Sequence, residues 1–359
     1  MMFNRREALC GLGVALALPM PAGARTRPVS EFDAVVRKGG SGSVLPSLAA
    51  ALALAEQRPE RPFRILLGNG VWEEKLTVRT PGLVIEGESR NAVLSYAAAA
   101  GLRDPSGKPW GTFGSATLTI AAPDVALIGL TLRNSFDFLQ DRLTGASGGA
   151  QAVALALGAN ADRILVQNCD IAGYQDTLYV REGHALFQGC RISGGTDFIF
   201  GGASALFRQC EIISRAVPGA EVQGYIAAPS THENQKFGLV FSDCRLVREP
   251  GVPDRSAYLG RPWRAGGNMA LTGSAVFLNC WMDAHIRPEG WSAMGYRGPD
   301  GARRMLEPQE ARLFEFDSRG PGAGAASLTR RFLTNDAARK YTTAAILEGW
   351  QPAAAGTSR

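Results

Sequence analysis

The feature that most constrains this 359-residue sequence is a cysteine that recurs about every 20 residues in a similar local sequence. Cys169, Cys190 and Cys210 are 21 and 20 residues apart, and each is followed by a charged residue and then isoleucine. A fixed period of this length is typical of stacked repeats, in which each repeat contacts only its neighbours. Short strand-forming runs could also build a sandwich or barrel. The period favours an all-β fold, a parallel β-helix in which each repeat forms one rung.

Two aspartates occupy the same position of this repeat. Asp176 follows Cys169 by seven residues, and Asp197 follows Cys190 by seven. In a parallel β-helix, equivalent residues of neighbouring rungs lie about 4.8 Å apart, so the two carboxyl groups should stack on one face. Carboxyl groups that close cannot both ionise easily, and the pKa of one of them should rise.

Two glutamines lie beside the aspartates in the repeat. Gln175 directly precedes Asp176, and Gln151 lies 24 residues before Gln175, which is near one repeat. Amide N–H groups can stabilise an oxyanion, and two carboxyl groups with separated pKa values can serve as nucleophile and general acid/base. The set predicts acyl transfer on an ester. The same spacing also fits a ladder of polar side chains that only stabilises the stack.

One helix is predicted near each end of the solenoid. Residues 43–58 have an apolar face suited to covering the open N-terminal end. Residues 336–347, with Thr334 or Asn335 as the N-cap and Gly349 just past the end, are expected to pack on the side of the solenoid.

Short β-rich runs separated by Gly, Asn, Asp and Pro fill the chain between these helices. They cover residues 63–67, 76–78, 83–86, 116–120, 125–132, 153–157 and 164–166. Later the cysteine spacing grows to 34 residues at Cys244 and 36 at Cys280. The additional residues must leave the rungs as loops, and such insertions commonly frame a binding site.

Residues 1–24 are typical of an export signal. Arg5 and Arg6 precede an apolar stretch, and the sequence Ala-Gly-Ala at 22–24 offers a small-residue cleavage site. The arginine pair suggests the twin-arginine route without excluding the general one. Residues 25–359, including the tail 330–359, are expected to form one catalytic domain that is exported to the periplasm or beyond the cell.

Charge and cysteine content each leave two interpretations open. A net charge of +5 with a pI near 9.0 fits a polyanionic partner, and equally fits ordinary variation. An exported chain can form disulfides, and neighbouring rungs are close enough for Cys169–Cys190 or Cys190–Cys210. The alternative is a ladder of buried free thiols that fills the core.

Four motifs resemble those of the pectin methylesterases, or pectinesterases, most strongly the bacterial members. They are residues 151–155 (QAVAL), 173–179 (GYQDTLY), 195–201 (GTDFIFG) and 259–263 (LGRPW), and the resemblance extends over about residues 32–350. It implies a single-stranded, right-handed parallel β-helix. It also implies removal of methyl groups from methyl-esterified polygalacturonate (pectin), with release of methanol.

The resemblance assigns a role to each residue of the repeated set. Asp197 is the nucleophile, and Asp176 protonates the departing methanol and then activates water. Gln151 and Gln175 form the oxyanion hole. Arg261 hydrogen-bonds Asp197, which suits a planar guanidinium that is always charged.

Further positions follow from the same resemblance. Trp263 presents an apolar face to a sugar ring, while Phe200 and Tyr179 line the cleft, although ordinary packing explains those two almost as well. The family disulfide corresponds to Cys190–Cys210. The chain departs from many relatives at Ala156, where they have arginine, and in a short segment at 264–274, so subsite preference is open.

Other readings predict different chemistry. A pectate-lyase-like β-helix would need a calcium site, and a non-catalytic carbohydrate-binding solenoid would need no intact catalytic set. Residues 145–149 match G-x-S-x-G but lack its strand–turn–helix context. His184, His232 and His285 have no metal-ligand spacing, and His184 is expected to be structural. We expect a monomer with no cofactor, metal, nucleic-acid partner or membrane attachment.

Overall fold

The computed structural model describes residues 29–58 and 60–352. Within these ranges the strands form three parallel sheets that run along a β-helix, together with one antiparallel hairpin. The predicted parallel β-helix is therefore confirmed. The predicted export signal lies outside the described residues. In the ranges described, no helix has both the length and the apolar character needed to cross a membrane.

Seven successive rungs, from Phe63 to Gly260, each contribute one strand to each sheet, and the remaining parallel strands extend the first and second sheets. In spatial order, the first sheet contains Val44–Leu45, Ala34–Val36, Phe63–Leu67, Leu83–Gly87, Ala126–Ile128, Ile164–Gln167, His184–Gln188, Ser204–Arg208, Leu239–Ser242, Ser274–Leu278 and Arg312–Phe316. The second contains Gly70–Glu73, Ala92–Tyr96, Thr131–Asn134, Asp170–Ala172, Arg191–Gly194, Glu211–Ser214, Arg245–Arg248 and Trp281–Met282. The third contains Leu76–Val78, Leu118–Ile120, Leu155–Leu157, Leu178–Val180, Thr196–Gly201, Gly224–Pro229 and Ala257–Gly260.

The predicted strands correspond closely to these elements, with one division. The run 125–132 forms two strands in different sheets, Ala126–Ile128 and Thr131–Asn134. Gly129 lies between them at φ 63°, a left-handed conformation that glycine adopts without steric penalty. A continuous apolar run in the sequence therefore conceals a corner of the solenoid.

A left-handed residue also precedes each cysteine of the repeat, where the chain turns from the first sheet into the second. The φ angles are 54° at Asn168, 62° at Gly189, 54° at Gln209, 55° at Asp243 and 53° at Asn279. Glycine, asparagine and aspartate are the residues that enter this region most readily. This turn explains why short polar residues or glycine precede most of the repeat cysteines.

The cysteines form a ladder of buried free thiols, so the predicted Cys190–Cys210 disulfide is wrong for this structure. Four of these thiols, at Cys190, Cys210, Cys244 and Cys280, each donate to a backbone carbonyl oxygen of the preceding rung, and the Cys169 thiol donates to Gln167 of its own rung. The Cys190 thiol donates to Val166 at 3.3 Å, and the Cys210 thiol donates to Phe187 at 3.4 Å. Burial raises the pKa of both thiols, which makes them poor nucleophiles.

The core of the first sheet carries a second ladder, made of aromatic rings. Phe187, Phe207, Phe241 and Phe277 pair in register and stack at centroid distances of 4.6, 4.6 and 4.4 Å. Stacked aromatic pairs contribute about 0.5–1.5 kcal/mol each beyond the burial of their area. The ladder includes the rungs that carry Asp197 and Arg261.

The N-terminal cap is a helix at Leu48–Glu56, shorter than the predicted 43–58 because Val44–Leu45 instead pairs with Ala34–Val36 as an edge strand. Its N-cap is Ser47, whose hydroxyl accepts from the Ala50 amide at 3.1 Å. The apolar face packs into the end of the solenoid core, as the predicted cap required.

The predicted C-terminal helix at 336–347 is instead two short helices, Asn335–Ala338 and Thr343–Ile346. Thr334 caps the first, as predicted, but Thr342 caps the second by accepting from the Ala345 amide at 3.1 Å. This second cap interrupts what the sequence pattern presents as one helix. The pair packs on the outer face of the first sheet through Ile346 and Leu347, which confirms the predicted position.

Three further short helices, Gly111–Gly114, Phe138–Thr144 and a 3₁₀ turn at Ala265–Gly267, lie in loops between the rungs. Two other 3₁₀ turns are Val29–Glu31 and Pro308–Glu310. The hairpin pairs Met294–Arg297 with Arg303–Leu306.

Candidate active site

The two aspartates occupy equivalent positions on neighbouring rungs of the third sheet, as the spacing predicts. Leu178 pairs with Ile199, and each aspartate lies two residues before its member of this pair. Both have left-handed backbones, with φ 61° at Asp176 and 50° at Asp197. Aspartate tolerates this conformation better than most residues, so the side chains are held in place by a backbone that few other residues would adopt.

A β-bulge lies at Asp197. Thr196 pairs with Tyr225 and Ile199 with Ala227, so the first strand carries one more residue between these pairs than its partner. Bulges bend the strand and re-aim a side chain, and they are frequent beside active sites. The bulge therefore coincides with Asp197, whose carboxylate contacts a residue from a later rung.

That residue is Arg261, which directly follows the strand Ala257–Gly260. Its Nε donates to Asp197 Oδ1 at 2.9 Å and its Nη2 donates to Oδ2 at 2.6 Å. The guanidinium also lies over the Tyr225 ring, 3.9 Å from the centroid. Gly260 has φ 157°, and a Cβ there would collide with the Ala227 carbonyl oxygen. Glycine therefore allows the close backbone approach that positions Arg261.

The electrostatics of the two carboxyl groups differ because only one of them contacts the arginine. Burial raises the pKa of Asp176 well above its usual value, and the charge of Asp197 raises it further. Burial also raises the pKa of Asp197, but the hydrogen bonds and charge of Arg261 oppose that rise. The pair therefore favours a protonated Asp176 beside an ionised Asp197.

A cleft of about 350 Å³ brings these residues together with both predicted glutamines. Gln151, Gln175, Asp176, Asp197 and Arg261 all line it. Within the described part of the chain, no side-chain hydrogen bond occupies the amides of the two glutamines. Their N–H groups are free to donate into the cleft, as an oxyanion hole requires.

The apolar wall of the cleft contains Trp263 and Phe200, as the resemblance implies. Their rings meet edge to face with centroids 5.7 Å apart. Tyr179 is one layer further along, stacked on Phe200 at 4.8 Å and against Phe113 at 4.6 Å, and does not line the cleft itself.

Sequence reasoning missed four cleft residues: Thr112, Phe113, Ala228 and Met294. Ala228 pairs in register with Phe200, so the repeat itself could have identified it. Phe113 is an aromatic side chain with 52% exposure in the short helix Gly111–Gly114, which precedes Leu118–Ile120. Met294 begins the hairpin. No motif marks either residue, because both belong to insertions outside the repeat.

The remaining sequence candidates lie elsewhere. His184 begins a strand of the first sheet and pairs through Nδ1 with Asp162 at 2.9 Å, consistent with a structural role. Ser147 of the G-x-S-x-G match donates to Asp141 at 2.8 Å. Among the residues described, His, Cys, Asp and Glu form no group of three that could hold a metal ion.

Comparison with known proteins decides the family. The family model for Pectinesterase matches residues 33–349. The chain belongs to the pectinesterase family. Pectinesterase A of Dickeya chrysanthemi is 41% identical over 94% of this chain and 97% of its own. A probable pectinesterase A of Neosartorya fischeri is 30% identical over 88% and 87%. The structure of pectin methylesterase PemA from Erwinia chrysanthemi superposes with a TM-score of 0.85 at 40% identity, covering 90% of this chain and 98% of that one.

Membership of the pectinesterase family makes the chain a carboxylic ester hydrolase. All four motif segments, from residue 151 to residue 263, lie inside the range that the family model matches. The cleft with its paired carboxyl groups also lies within that range.

Proposed function

We propose that this protein removes methyl groups from methyl-esterified polygalacturonate, releasing methanol through an acyl-enzyme on Asp197. The observation that carries the proposal is the unequal carboxyl pair. Asp197 accepts a two-point contact from Arg261 that opposes the rise which burial gives its pKa, whereas the neighbouring carboxyl, Asp176, favours its protonated form. Nucleophilic attack needs the first state, and leaving-group protonation needs the second.

In the first half-reaction, an Asp197 oxygen attacks the ester carbonyl carbon and the π-electron pair moves to the carbonyl oxygen. The side-chain N–H groups of Gln151 and Gln175 stabilise that oxyanion. When the carbonyl re-forms, the bond to the methoxy oxygen breaks, and Asp176 donates its proton so that methanol leaves. An anhydride between Asp197 and the galacturonate unit remains, and Asp176 is now a carboxylate.

In the second half-reaction, Asp176 accepts a proton from water while the water oxygen attacks the anhydride carbonyl. The same two amides stabilise the second oxyanion. Collapse breaks the bond to Asp197, which returns to its contact with Arg261, and releases a free galacturonate carboxyl group. Asp176 ends protonated, ready for the next ester.

Binding of the polymer is assigned to the apolar wall and to the charge of the surface. Trp263 and Phe200 present ring surface along the cleft, which suits the apolar face of a sugar ring. A net charge of +5 favours association with a polysaccharide that carries free carboxylates.

The test is methanol release from highly methylated pectin in the presence of a chelator. We expect the wild type to be active, and both Asp197→Ala and the backbone-compatible Asp197→Asn to be inactive while still folded. Asp243→Asn is the matched control, because it changes an aspartate at another left-handed position, φ 55°, away from the cleft. Methanol release by either Asp197 variant would remove this residue as nucleophile. An unsaturated product absorbing in the ultraviolet would favour the lyase alternative.

The oxyanion role of Gln175 has a separate test. Loss of one oxyanion donor slows turnover about 10²-fold or more, so we expect that effect from Gln175→Ala. An unchanged kcat would eliminate the role. Gln188→Ala changes a glutamine that ends a strand of the first sheet and donates to Gln209, outside the cleft, and it should leave kcat unchanged.

We also propose that residues 1–24 direct export and are removed, leaving a monomeric domain that begins near residue 25. N-terminal sequencing of the exported protein tests the cleavage, and gel filtration with light scattering tests the monomer. A retained N-terminus or a stable dimer would contradict the respective statement.

A further inference from the structure

The antiparallel hairpin is joined to the cleft at two points. Met294, its first residue, lines the cleft. The ring of Tyr296, two residues later, lies 4.7 Å from the guanidinium of Arg264, the residue that follows the cleft tryptophan Trp263. A polysaccharide that leaves the cleft on this side therefore meets the hairpin next.

Two arginines lie directly opposite each other on this hairpin. Arg297 pairs with Arg303, and both are exposed. Like charges directly opposite each other in a sheet are destabilising. Within residues 29–58 and 60–352, neither of them forms an ion pair with a carboxylate, whereas the neighbouring Arg304 is bridged to Asp300 at 2.6 Å. The hairpin thus presents two positive charges that the protein itself does not neutralise.

The two arginines line a cavity along the hairpin. Directly paired residues of an antiparallel sheet lie on the same face, and Gly295 and Met305 form the next pair on that face. A cavity of about 580 Å³ lies along the hairpin and is lined by these four residues together with Tyr296 and Arg304. The guanidinium groups therefore lie beside a small apolar surface formed by Gly295 and Met305.

We propose that Arg297 and Arg303 bind the carboxylates of galacturonate units that have already lost their methyl groups. The inference rests on the proposed function, because that reaction converts a neutral ester into an anion at the adjoining cleft. Guanidinium matches a carboxylate with two parallel hydrogen bonds. The hairpin would therefore hold the de-esterified part of the polymer while neighbouring esters enter the cleft.

The direct test measures binding of fully de-esterified decagalacturonate, which has no ester to react, by calorimetry at low and high salt. We expect Arg297→Glu/Arg303→Glu to weaken binding about tenfold, equivalent to about 1.4 kcal/mol, and to reduce the salt dependence of the affinity. The matched control is Arg58→Glu/Arg339→Glu, which changes the net charge equally at two exposed arginines remote from the hairpin.

A second readout uses turnover. The hairpin variant should raise the KM for half-esterified pectin more than the KM for fully methylated pectin, and the control should not. Equal binding by wild type and hairpin variant, or an equal loss in the control, overturns the proposal. If the glutamate variant is misfolded by circular dichroism, Arg297→Gln/Arg303→Gln supplies the same comparison.

The two proposals fail separately. Arginine-dependent binding without methanol release would contradict the esterase mechanism and leave the hairpin site standing. Methanol release together with binding that does not depend on the two arginines would contradict the hairpin site and leave the esterase mechanism standing.

Discussion

Replacing Arg261 with methionine should destabilise the protein by leaving Asp197 buried without its partner. Removing one member of a buried ion pair costs about 3–5 kcal/mol, mainly because the remaining charge is uncompensated. The side chains of Arg261 and Asp197 retain 22% and 10% exposure at the cleft. Water can therefore reach the site, and we expect about 3 kcal/mol at pH 7, the lower end of the range.

The structure contains an internal standard for that magnitude. Arg330 and Glu315 form an ion pair at 2.7 Å with both side chains at 0% exposure. Arg330→Met should therefore cost more than Arg261→Met, about 5 kcal/mol. The double variant Asp197→Asn/Arg261→Met should be more stable than Arg261→Met alone, because no unpaired charge remains, with a coupling energy of about 2 kcal/mol.

The pH dependence of the Arg261→Met effect follows from the carboxyl group. Without the arginine, burial raises the pKa of Asp197 with nothing to oppose it. A carboxyl whose native pKa is raised contributes stability that is present below its unfolded pKa and lost as pH rises through its native pKa. The destabilisation should be large at pH 7 and small near pH 4. Urea denaturation followed by tryptophan fluorescence measures both. A cost below about 1 kcal/mol at pH 7, or one independent of pH, would refute the reasoning.

Three further predictions concern other parts of the same stack. Asp176→Asn should raise the melting temperature at pH 7 and have little effect near pH 4, since the native pKa of Asp176 is raised by burial and by the charge of Asp197. If the variant and the wild type have equal melting temperatures at pH 7 as well as at pH 4, this prediction is wrong. Tyr225→Leu removes the ring under Arg261 and should lower kcat about fivefold, with the acid limb of the pH–rate profile moved to higher pH. Tyr225→Phe keeps the ring and should retain activity. A change in KM alone would argue against a positioning role for Tyr225. Phe241→Ala removes the ring stacked between two others at 4.6 and 4.4 Å and should cost about 3–5 kcal/mol in urea denaturation, and a loss under 1 kcal/mol would mean that the ladder collapses around the gap.

The repeat alone predicts much of the site because a solenoid converts sequence spacing directly into spatial position. The common distance of Asp176 and Asp197 from their cysteines is sufficient to stack them. Arg261 is different, because it comes from a rung lengthened by a loop, and no period connects it with Asp197. Its assignment came from the resemblance, and the structure supplies the reason, a two-point hydrogen bond supported by the close approach at Gly260.

The features that the sequence did not predict belong to segments outside the repeat. Phe113 and Met294 enter the cleft from insertions whose path depends on packing against other rungs. The C-terminal pattern looked like one helix because hydrophobic periodicity does not register a second N-cap at Thr342. The Cys190–Cys210 disulfide failed because proximity permits a bond without requiring one, and a buried thiol can be satisfied by a carbonyl oxygen instead.

A stack of near-identical rungs would by itself give two near-identical carboxyl groups, which is unsuitable for a reaction that needs an acid and a nucleophile. Arg261 removes the equivalence, because it donates two hydrogen bonds to Asp197, which lies at the bulge, and none to Asp176 among the described residues. The repeat therefore provides the proximity, and the contact with Arg261 provides the difference in pKa. Asp197 and Phe198 are the two residues of the bulge. If the bulge is needed for the Asp197–Arg261 contact, deleting Phe198 should weaken that contact and bring the titration of the two aspartates closer together, although every catalytic side chain is retained.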